Sequence, residues 1–134
     1  MRITHLKTPL SKKDVSGLRV GDIVSVNGRI VTARDKIYAR IVGGEKSPID
    51  LGDGVIYHCG PLAKRTSKGW RIISAGPTTS SRMDPAQTDF VKLTGVRALI
   101  GKGGLAKEVA KDIARLGCIY LAFTGGAGHW PRAE

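Results

Sequence analysis

The sequence predicts a mixed α/β fold, in which an N-terminal β-hairpin region precedes a parallel βαβαβ sheet. Two patterns lead to this prediction. Strand-like apolar runs alternate with helical stretches in the second half of the chain, which is typical of parallel sheets with right-handed crossovers. Two β-rich runs also flank Asn27-Gly28, a dipeptide that favours a tight hairpin turn. The 134 residues are the length of one domain, and we assign residues 1–134 to it.

The first half of the chain is predicted to contain the hairpin and one helix. The hairpin joins residues 22–26 to residues 29–33 and leads directly to Arg34. A helix over residues 35–42 follows and is expected to end at Gly43-Gly44, because glycine is favoured just after the last helical turn. The rest of this half is predicted to comprise a loop over 45–54, a short strand over 55–59 and an exposed basic turn over 64–69.

The second half is predicted to alternate strand, loop and helix. Its clearest element is a helix over residues 105–116, whose apolar residues recur with the 3.6-residue period of one helix face. Two polar, glycine-containing loops, at 76–82 and 101–104, each precede a predicted helix. The other predicted elements of this half are strands over 70–75, 96–100 and 118–123 and a helix over 85–93.

Composition limits the classes of function. Twenty-two Lys and Arg against eleven Asp and Glu give a formal net charge of +11, which favours anionic partners such as nucleic acid, small anions or an acidic chain. Two cysteines that lie far apart, Cys59 and Cys118, exclude a disulfide framework and a self-contained zinc or iron–sulfur site. The first thirteen residues lack the apolar run of a secretory signal, and no run is long enough to span a membrane. We therefore expect a cytoplasmic protein.

The two polar loops are predicted to form one site. In a parallel sheet, strand-to-helix loops emerge at the carboxyl edge, so the loops at 76–82 and 101–104 should face the same crevice. Each loop leads to a helix N-terminus, where free N–H groups attract anions. The first loop supplies four consecutive hydroxyl residues and Arg82, and the second supplies Lys102. This combination indicates a site for a carboxylate or a phosphate.

Other residues admit simpler or competing interpretations. The Gly101–Gly104 loop also matches the G-x-x-G loop of KH domains, which clamps single-stranded nucleic acid, so an RNA-binding module is an alternative function. Arg34-Asp35 taken alone indicates a surface ion pair, and His58-Cys59 a packed core pair. Ser81 or Asp84 could cap the following helix. His5 and His129 are expected to be solvated.

Taken together, the sequence resembles the β component of class I, iron–sulfur-dependent fumarate hydratases, a family that also includes L-tartrate dehydratases. The Gly-Pro-Thr-Thr…Arg-Met-Asp block over 76–84 is the most specific part of this resemblance. The other matching blocks follow in the family's order over nearly the whole chain and are Thr8–Ser11, Leu18–Asp22, Thr32–Asp35, Val55–Pro61 and Gly101–Gly104.

The resemblance implies a swivelling β/β/α domain that works beside an α subunit and acts on a dicarboxylate such as fumarate or malate. In this family the α subunit carries a [4Fe–4S] cluster on three cysteines, so this chain would supply no metal ligand. Thr78 corresponds to the family's proposed catalytic base. Arg34, Arg82 and Lys102 correspond to the groups that bind the substrate carboxylates.

Three departures from the family pattern accompany this resemblance. Tyr38 stands where the family usually has His, and Ser80-Ser81 replaces the commoner Ala-Gly. Family members also continue with another helix and further strands beyond the point where this sequence ends, at Glu134. A sheet without those strands would expose an edge, so self-association of the chain is a further expectation.

Overall fold

The structure, a computed structural model, describes residues 3–123. Its strands are β1 (Ile3–Lys7), β2 (Ile23–Asn27), β3 (Val31–Ala33), β4 (Val55–His58), β5 (Leu62–Thr66), β6 (Gly69–Ser74), β7 (Ala98–Gly101) and β8 (Ile119–Ala122). Its helices are α1 (Lys12–Ser16), α2 (Asp35–Val42), a 3₁₀ helix at Ser80–Met83, α3 (Asp84–Thr94) and α4 (Lys107–Arg115). The mixed α/β class expected from the sequence is confirmed.

A four-stranded parallel sheet with the order β3-β4-β7-β8 lies at the centre. The register pairs Ala33 with His58 and Gly101 with Ala122, so neighbouring strands end close together. All four carboxyl ends therefore lie at one edge of the sheet, which is where ligands bind in open α/β sheets. Arg34 and Lys102 directly follow two of these strand ends.

Both faces of this sheet are covered. Ile56 and Leu99 point to one face and pack with residues of α2, α3 and α4, including Phe90. The adjacent residues Val55 and Ala98 point to the other face and pack against residues of β1, α1 and the segment between them. Strands buried on both faces have continuous apolar sequences, which explains why these strands were recognisable from the sequence alone.

The predicted helices are confirmed with small changes at their ends. α2 has the predicted bounds, buries Tyr38 and Ile41 three positions apart, and ends at Gly43. α3 begins with proline in its first turn and ends at Gly95, whose φ is +71°. α4 begins two residues later than predicted, because Ala106 has extended backbone angles. No helix within residues 3–123 has the length and apolar character needed to cross a bilayer.

The predicted hairpin around Asn27-Gly28 is wrong. β2 pairs in parallel with β1, and β3 pairs in parallel with β4 in a different sheet. The chain does bend at Gly28, with φ of +101°, but a Cβ there would crowd the Thr8 backbone at 3.2 Å. Glycine is thus needed where two segments approach closely, and the strands on either side of it do not pair. A local turn signal cannot report such a long-range contact.

The placement of residues 70–75 in the parallel sheet is also wrong. β6 pairs antiparallel with β5, and the two strands form a separate hairpin with a turn at residues 67–68, directly before Gly69, whose φ is +115°. The predicted basic turn is therefore largely strand. Trp70 is 69% exposed on this hairpin. The apolar sequence of β6 therefore indicates β propensity and not burial.

Two N-terminal elements were not predicted. β1 and α1 form a short crossover that brings β2 alongside β1. The start of α1 has a capping box, in which the Ser11 side chain accepts from the Asp14 N–H and Asp14 accepts from the Ser11 N–H. The spacing of Ser and Asp three residues apart was the sequence signal for this helix.

Candidate active site

The carboxyl edge of the central sheet brings the two polar loops together. Thr79 and Lys102 form a parallel bridge. The Ser80 N–H donates to the Lys102 carbonyl at 3.0 Å, and the Lys102 N–H donates to the Thr78 carbonyl at 3.2 Å. The prediction that these loops face each other is confirmed. Thr78 and Lys102 are consequently held side by side by backbone hydrogen bonds.

Thr78 is also fixed to the end of β4. Its N–H donates to the carbonyl of His58 at 2.7 Å, and Cys59 forms an isolated antiparallel bridge with Pro77. The Thr78 side chain is half-buried and makes no side-chain hydrogen bond with residues 3–123. Its hydroxyl thus has a fixed backbone beneath it and remains available to a ligand or a partner chain.

Arg34 reaches the same edge by lying across Gly60. A Cβ at Gly60 would be 2.8 Å from the Arg34 Nη1 and 3.1 Å from its Cδ. Burial raises the pKa of the Cys59 thiol, and the nearby Arg34 charge partly opposes that rise. Because Cys59 bridges to Pro77, the guanidinium of Arg34 lies beside the segment that carries Thr78. A glycine at position 60 makes this approach possible.

Arg82 approaches the start of α2 from the 3₁₀ helix. Its Nη2 lies 3.6 Å from the Asp35 carboxylate, and both side chains are about half exposed. The predicted Arg34–Asp35 pair is therefore replaced by an Arg82–Asp35 pair. Arg34 and Lys102 have no ion pair among the described residues. We call Arg34, Thr78, Arg82 and Lys102 the cationic rim, since they share one edge of the sheet and comprise three charged side chains and one hydroxyl.

A buried polar layer, which the sequence analysis did not anticipate, lies beneath the rim. His58 is fully buried and hydrogen-bonded through both ring nitrogens, with Nε2 2.6 Å from the Tyr38 hydroxyl and Nδ1 2.7 Å from Ser80 Oγ. Tyr120 lies 3.1 Å from Ser80 Oγ and donates to the Gly103 carbonyl at 2.7 Å. We call Tyr38, His58, Ser80, Gln87 and Tyr120 the polar floor.

Burial controls the ionisation of the floor. Desolvation lowers the pKa of His58 to about 4, although the nearby Asp84 carboxylate opposes the shift. Burial likewise raises the pKa of Tyr38 and of Tyr120 above the usual range of tyrosine. All three groups are therefore neutral near pH 7. The prediction that His58 is a core residue is confirmed, but its hydrogen bonds show that it connects three elements of the site.

Asp84 and Gln87 extend the floor towards the helices. The Gln87 side chain donates to the Ser80 carbonyl at 3.0 Å and to Asp84 at 2.8 Å. The other Asp84 oxygen accepts from the Ala106 N–H at 3.1 Å, at the start of α4. Asp84 thus caps the helix after the second loop and not its own helix. Its carboxylate occupies part of the α4 N-terminus that the sequence analysis assigned to an anionic ligand.

Gly101 allows the floor to lie directly against β7. A Cβ at this position would overlap Ser80 Oγ and would lie 2.9 Å from His58 Nδ1. The first glycine of the Gly-Lys-Gly-Gly loop is therefore a packing requirement. The third glycine of the loop, Gly104, has no atom within 4 Å of a built Cβ.

The chain does not offer the donor set of an iron–sulfur cluster. Such clusters are bound by several thiolates, and this sequence has two cysteines. Both are buried, and burial raises the pKa of the Cys118 thiol to about 12. Cys118 belongs to the apolar core on the helical side of the sheet. Neither cysteine is suited to ligate a metal at the rim.

The described residues form an α/β domain with three cationic side chains and one hydroxyl residue at the carboxyl edge of its sheet, a combination that suits a small anion. Comparison with known proteins gives the family. Residues 1–133 match the family described as Fumarase C-terminus, and the chain belongs to this family. The resemblance inferred from the sequence is thereby confirmed.

Relatives include both dehydratase and hydratase components. The chain is 47% identical over 121 residues to a putative L(+)-tartrate dehydratase subunit beta of Methanocaldococcus jannaschii, covering 87% of this chain and 62% of the relative. It is 33% identical to an Escherichia coli L(+)-tartrate dehydratase subunit beta, covering 90% and 61%. A putative fumarate hydratase class I of Geobacillus stearothermophilus is 38% identical, covering 96% and 25%.

The chain thus spans less than two thirds of the length of these relatives. The expectation that family members continue beyond Glu134 stays a prediction. The family match also favours the hydratase interpretation over the RNA-binding alternative. His129 and the glycine-rich segment from residue 125 lie outside the described residues.

Proposed function

We propose that this chain is the β subunit of an iron–sulfur hydro-lyase, which interconverts an unsaturated dicarboxylate such as fumarate with its hydroxy acid. It would act in the cytoplasm with an α subunit that carries the [4Fe–4S] cluster and completes the site, and the domain would be of the swivelling β/β/α type. The observation that carries the proposal is the backbone pairing of the Thr78 and Lys102 loops, with Arg34 and Arg82 at the same edge.

The two arginines suit the two ends of the substrate. A guanidinium binds a carboxylate through two parallel N–H bonds and stays charged at any physiological pH. Arg34 comes from the β3–α2 junction and Arg82 from the 3₁₀ helix, so the two approach the edge from different elements. Asp35 neutralises Arg82 only through a 3.6 Å, exposed contact, which a substrate carboxylate could replace at little cost.

Thr78 and Lys102 suit the proton transfer. In the dehydration direction, a base removes the proton from the carbon next to one carboxylate, and that carboxylate takes up the electron pair as a dianionic aci-form. The electrons then return to form the double bond as hydroxide leaves the neighbouring carbon. Lys102 and the arginines would stabilise the developing negative charge. Thr78 would hold the transferred proton at its hydroxyl.

The cluster of the partner would supply Lewis acidity to the departing hydroxyl group. A threonine hydroxyl is a weak base without assistance, so Thr78 needs an acceptor for its own proton. The resemblance assigns that acceptor to an aspartate of the α subunit. This division of labour agrees with the half-buried Thr78 side chain, which is open to a second chain.

The test is reconstitution. The chain is co-expressed with a cysteine-bearing α subunit, and the anaerobic hydration of fumarate and dehydration of L-tartrate are measured. We expect turnover of at least one substrate, a fall in kcat of about 100-fold or more in Thr78→Val and Lys102→Met, and normal turnover in the exposed control Lys111→Met. Salt-sensitive binding of single-stranded RNA without turnover would instead support the alternative function.

A further inference from the structure

We propose that His58, Ser80 and Tyr120 are positioning residues, which hold the Lys102 loop against Thr78 through one continuous chain of hydrogen bonds. This inference rests on the proposed function for the role of Thr78 and Lys102. It adds that the distance between the hydroxyl and the ammonium is determined from inside the protein, by side chains that do not touch the substrate.

The hydrogen bonds of this chain can be assigned donors and acceptors that all run in one direction. The Gly103 carbonyl can only accept, so the single Tyr120 proton is donated to it. Ser80 then donates to the Tyr120 oxygen and accepts from Nδ1 of His58, while Nε2 accepts from the Tyr38 hydroxyl. The opposite tautomer of His58 would leave the buried Tyr38 proton without an acceptor among residues 3–123, which is costly.

The chain of hydrogen bonds ends at the peptide groups from which the cationic rim projects. The Lys102 N–H and carbonyl are bonded to Thr78 and Ser80, and the next carbonyl, that of Gly103, is bonded to Tyr120. Both backbone polar groups of Lys102 and the carbonyl of Gly103 are thus held. Without them, Gly103 and Gly104 would give this segment considerable backbone freedom. The side chain of Lys102 therefore depends on the floor for its position.

The chain of hydrogen bonds links elements that lie far apart in the sequence. Tyr38 comes from α2, His58 from β4, Ser80 from the 3₁₀ helix and Tyr120 from β8. The backbone of His58 also takes part, since its carbonyl accepts a hydrogen bond from the Thr78 N–H at 2.7 Å. Both sides of the rim, Thr78 and Lys102, are consequently attached to the same buried histidine residue. A displacement of the floor changes both together.

The experiment uses the complex of this chain with its α subunit. Tyr120→Phe and Ser80→Ala each remove one hydroxyl from the chain of hydrogen bonds. Thr94→Val is the control. The Thr94 hydroxyl donates to the Phe90 carbonyl at 2.7 Å, the length of the Tyr120–Gly103 bond, but it lies at the end of α3. We expect kcat to fall about 10- to 100-fold in either floor variant, with KM within about 3-fold, because misplacement affects the transition state more than binding.

Coupling supplies the second readout. In the double variant we expect a loss of kcat no larger than that of the more severe single variant, since both substitutions act through the same chain of hydrogen bonds. The inference is overturned if the two losses multiply, if kcat stays within about 3-fold of wild type in both single variants, or if Thr94→Val lowers kcat as much as they do.

Hydrogen exchange separates this inference from the proposed function. In the same complex, the Lys102 amide is expected to exchange at least about 10-fold faster in Tyr120→Phe than in wild type. If the wild-type complex converts neither fumarate nor L-tartrate, the proposed function fails, and exchange alone decides the positioning role. Unchanged exchange at Lys102 overturns the inference even when the enzyme is active.

Discussion

The cationic rim and the polar floor occupy the same edge of the sheet but follow different physical rules. Arg34, Arg82 and Lys102 of the rim are exposed, whereas His58, Ser80 and Gln87 of the floor are fully buried. Exposed charges are well solvated, so their interactions add little to folding. Buried polar groups must find partners, since an unmet one costs about 1–3 kcal/mol.

The comparison teaches that binding and geometry are assigned to different residues. The rim presents charged groups that a ligand can bind without disturbing the fold. The floor contributes no charge near pH 7, but it holds the peptide groups from which the rim projects. Substitutions in the rim should therefore alter activity with little loss of stability, while substitutions in the floor should alter both. Four measurements test this division, beginning with the largest expected effect.

Gly101→Ala should be the most disruptive change. The new Cβ would overlap Ser80 Oγ and press on His58, so we expect the free energy of unfolding to fall by at least about 3 kcal/mol. Chemical denaturation provides the measurement. Gly104→Ala, where a Cβ meets nothing within 4 Å, is the control and should change stability by less than about 1 kcal/mol. Equal effects in the two variants would contradict the packing role of Gly101.

His58 should make stability depend on pH. Its pKa is lowered from 6.5 to about 4 in the folded state, so between these values the unfolded chain binds the proton more tightly. The stabilisation is fully present above pH 6.5 and is lost as the pH falls towards 4, by on the order of 3 kcal/mol at most. Urea unfolding between pH 4 and 8 measures it.

Two histidine variants isolate this contribution. His58→Gln removes the titrating group and should flatten the curve between pH 6.5 and 4. His5→Gln replaces an exposed histidine of β1 and should retain the wild-type slope. If the two variants have the same pH dependence as wild type, the histidine of the floor does not determine it.

Asp84 should have an intermediate effect. Asp84→Ala removes the acceptor for the Ala106 N–H and for the Gln87 side chain, and we expect a loss of about 1–2 kcal/mol in unfolding free energy. Asp89→Ala, an exposed position on the same helix, serves as the comparison and should stay within about 0.5 kcal/mol. A loss of equal size at Asp89 would mean that charge, and not capping, explains the result.

Arg82→Gln should have the smallest effect on folding. Its contact with Asp35 is 3.6 Å long and exposed, so we expect a stability change below about 0.5 kcal/mol. In the complex with the α subunit, KM for fumarate should nevertheless rise at least about 10-fold, since a charge-assisted pair to a carboxylate is lost.

The control for this variant is Arg115→Gln. Arg115 forms a similar exposed pair with Asp112, at 3.4 Å on α4, but it is outside the rim. Stability and KM should both remain near wild type in that variant. A large loss of stability in Arg82→Gln would contradict the division of roles between rim and floor.

Sequence reasoning recovered much of the fold for an identifiable reason. α2, α3, α4, β4, β7 and β8 have apolar periods that local geometry imposes, and these elements were predicted within about two residues. Pairing was harder. β2 and β6 were recognised as strands, but their partners were wrong, because hydrophobic pattern reports which face is buried and not which strand lies alongside.

The site shows the same split. The convergence of loops 76–82 and 101–104 followed from parallel topology alone, and it brought Thr78, Arg82 and Lys102 to one edge. Residue types in those loops were enough to indicate an anion site. Whether each of them binds substrate or transfers a proton stays a prediction.

By itself, the sequence determined the family, the helices and the charged edge, because these depend on local period, residue type and the order of motifs. Only the tertiary structure decided what supports that edge. His58 meets Tyr38 across 20 positions and Ser80 across 22, and Tyr120 reaches Ser80 across 40. A buried hydrogen bond is a property of two sites in space, so no single stretch of sequence contains it.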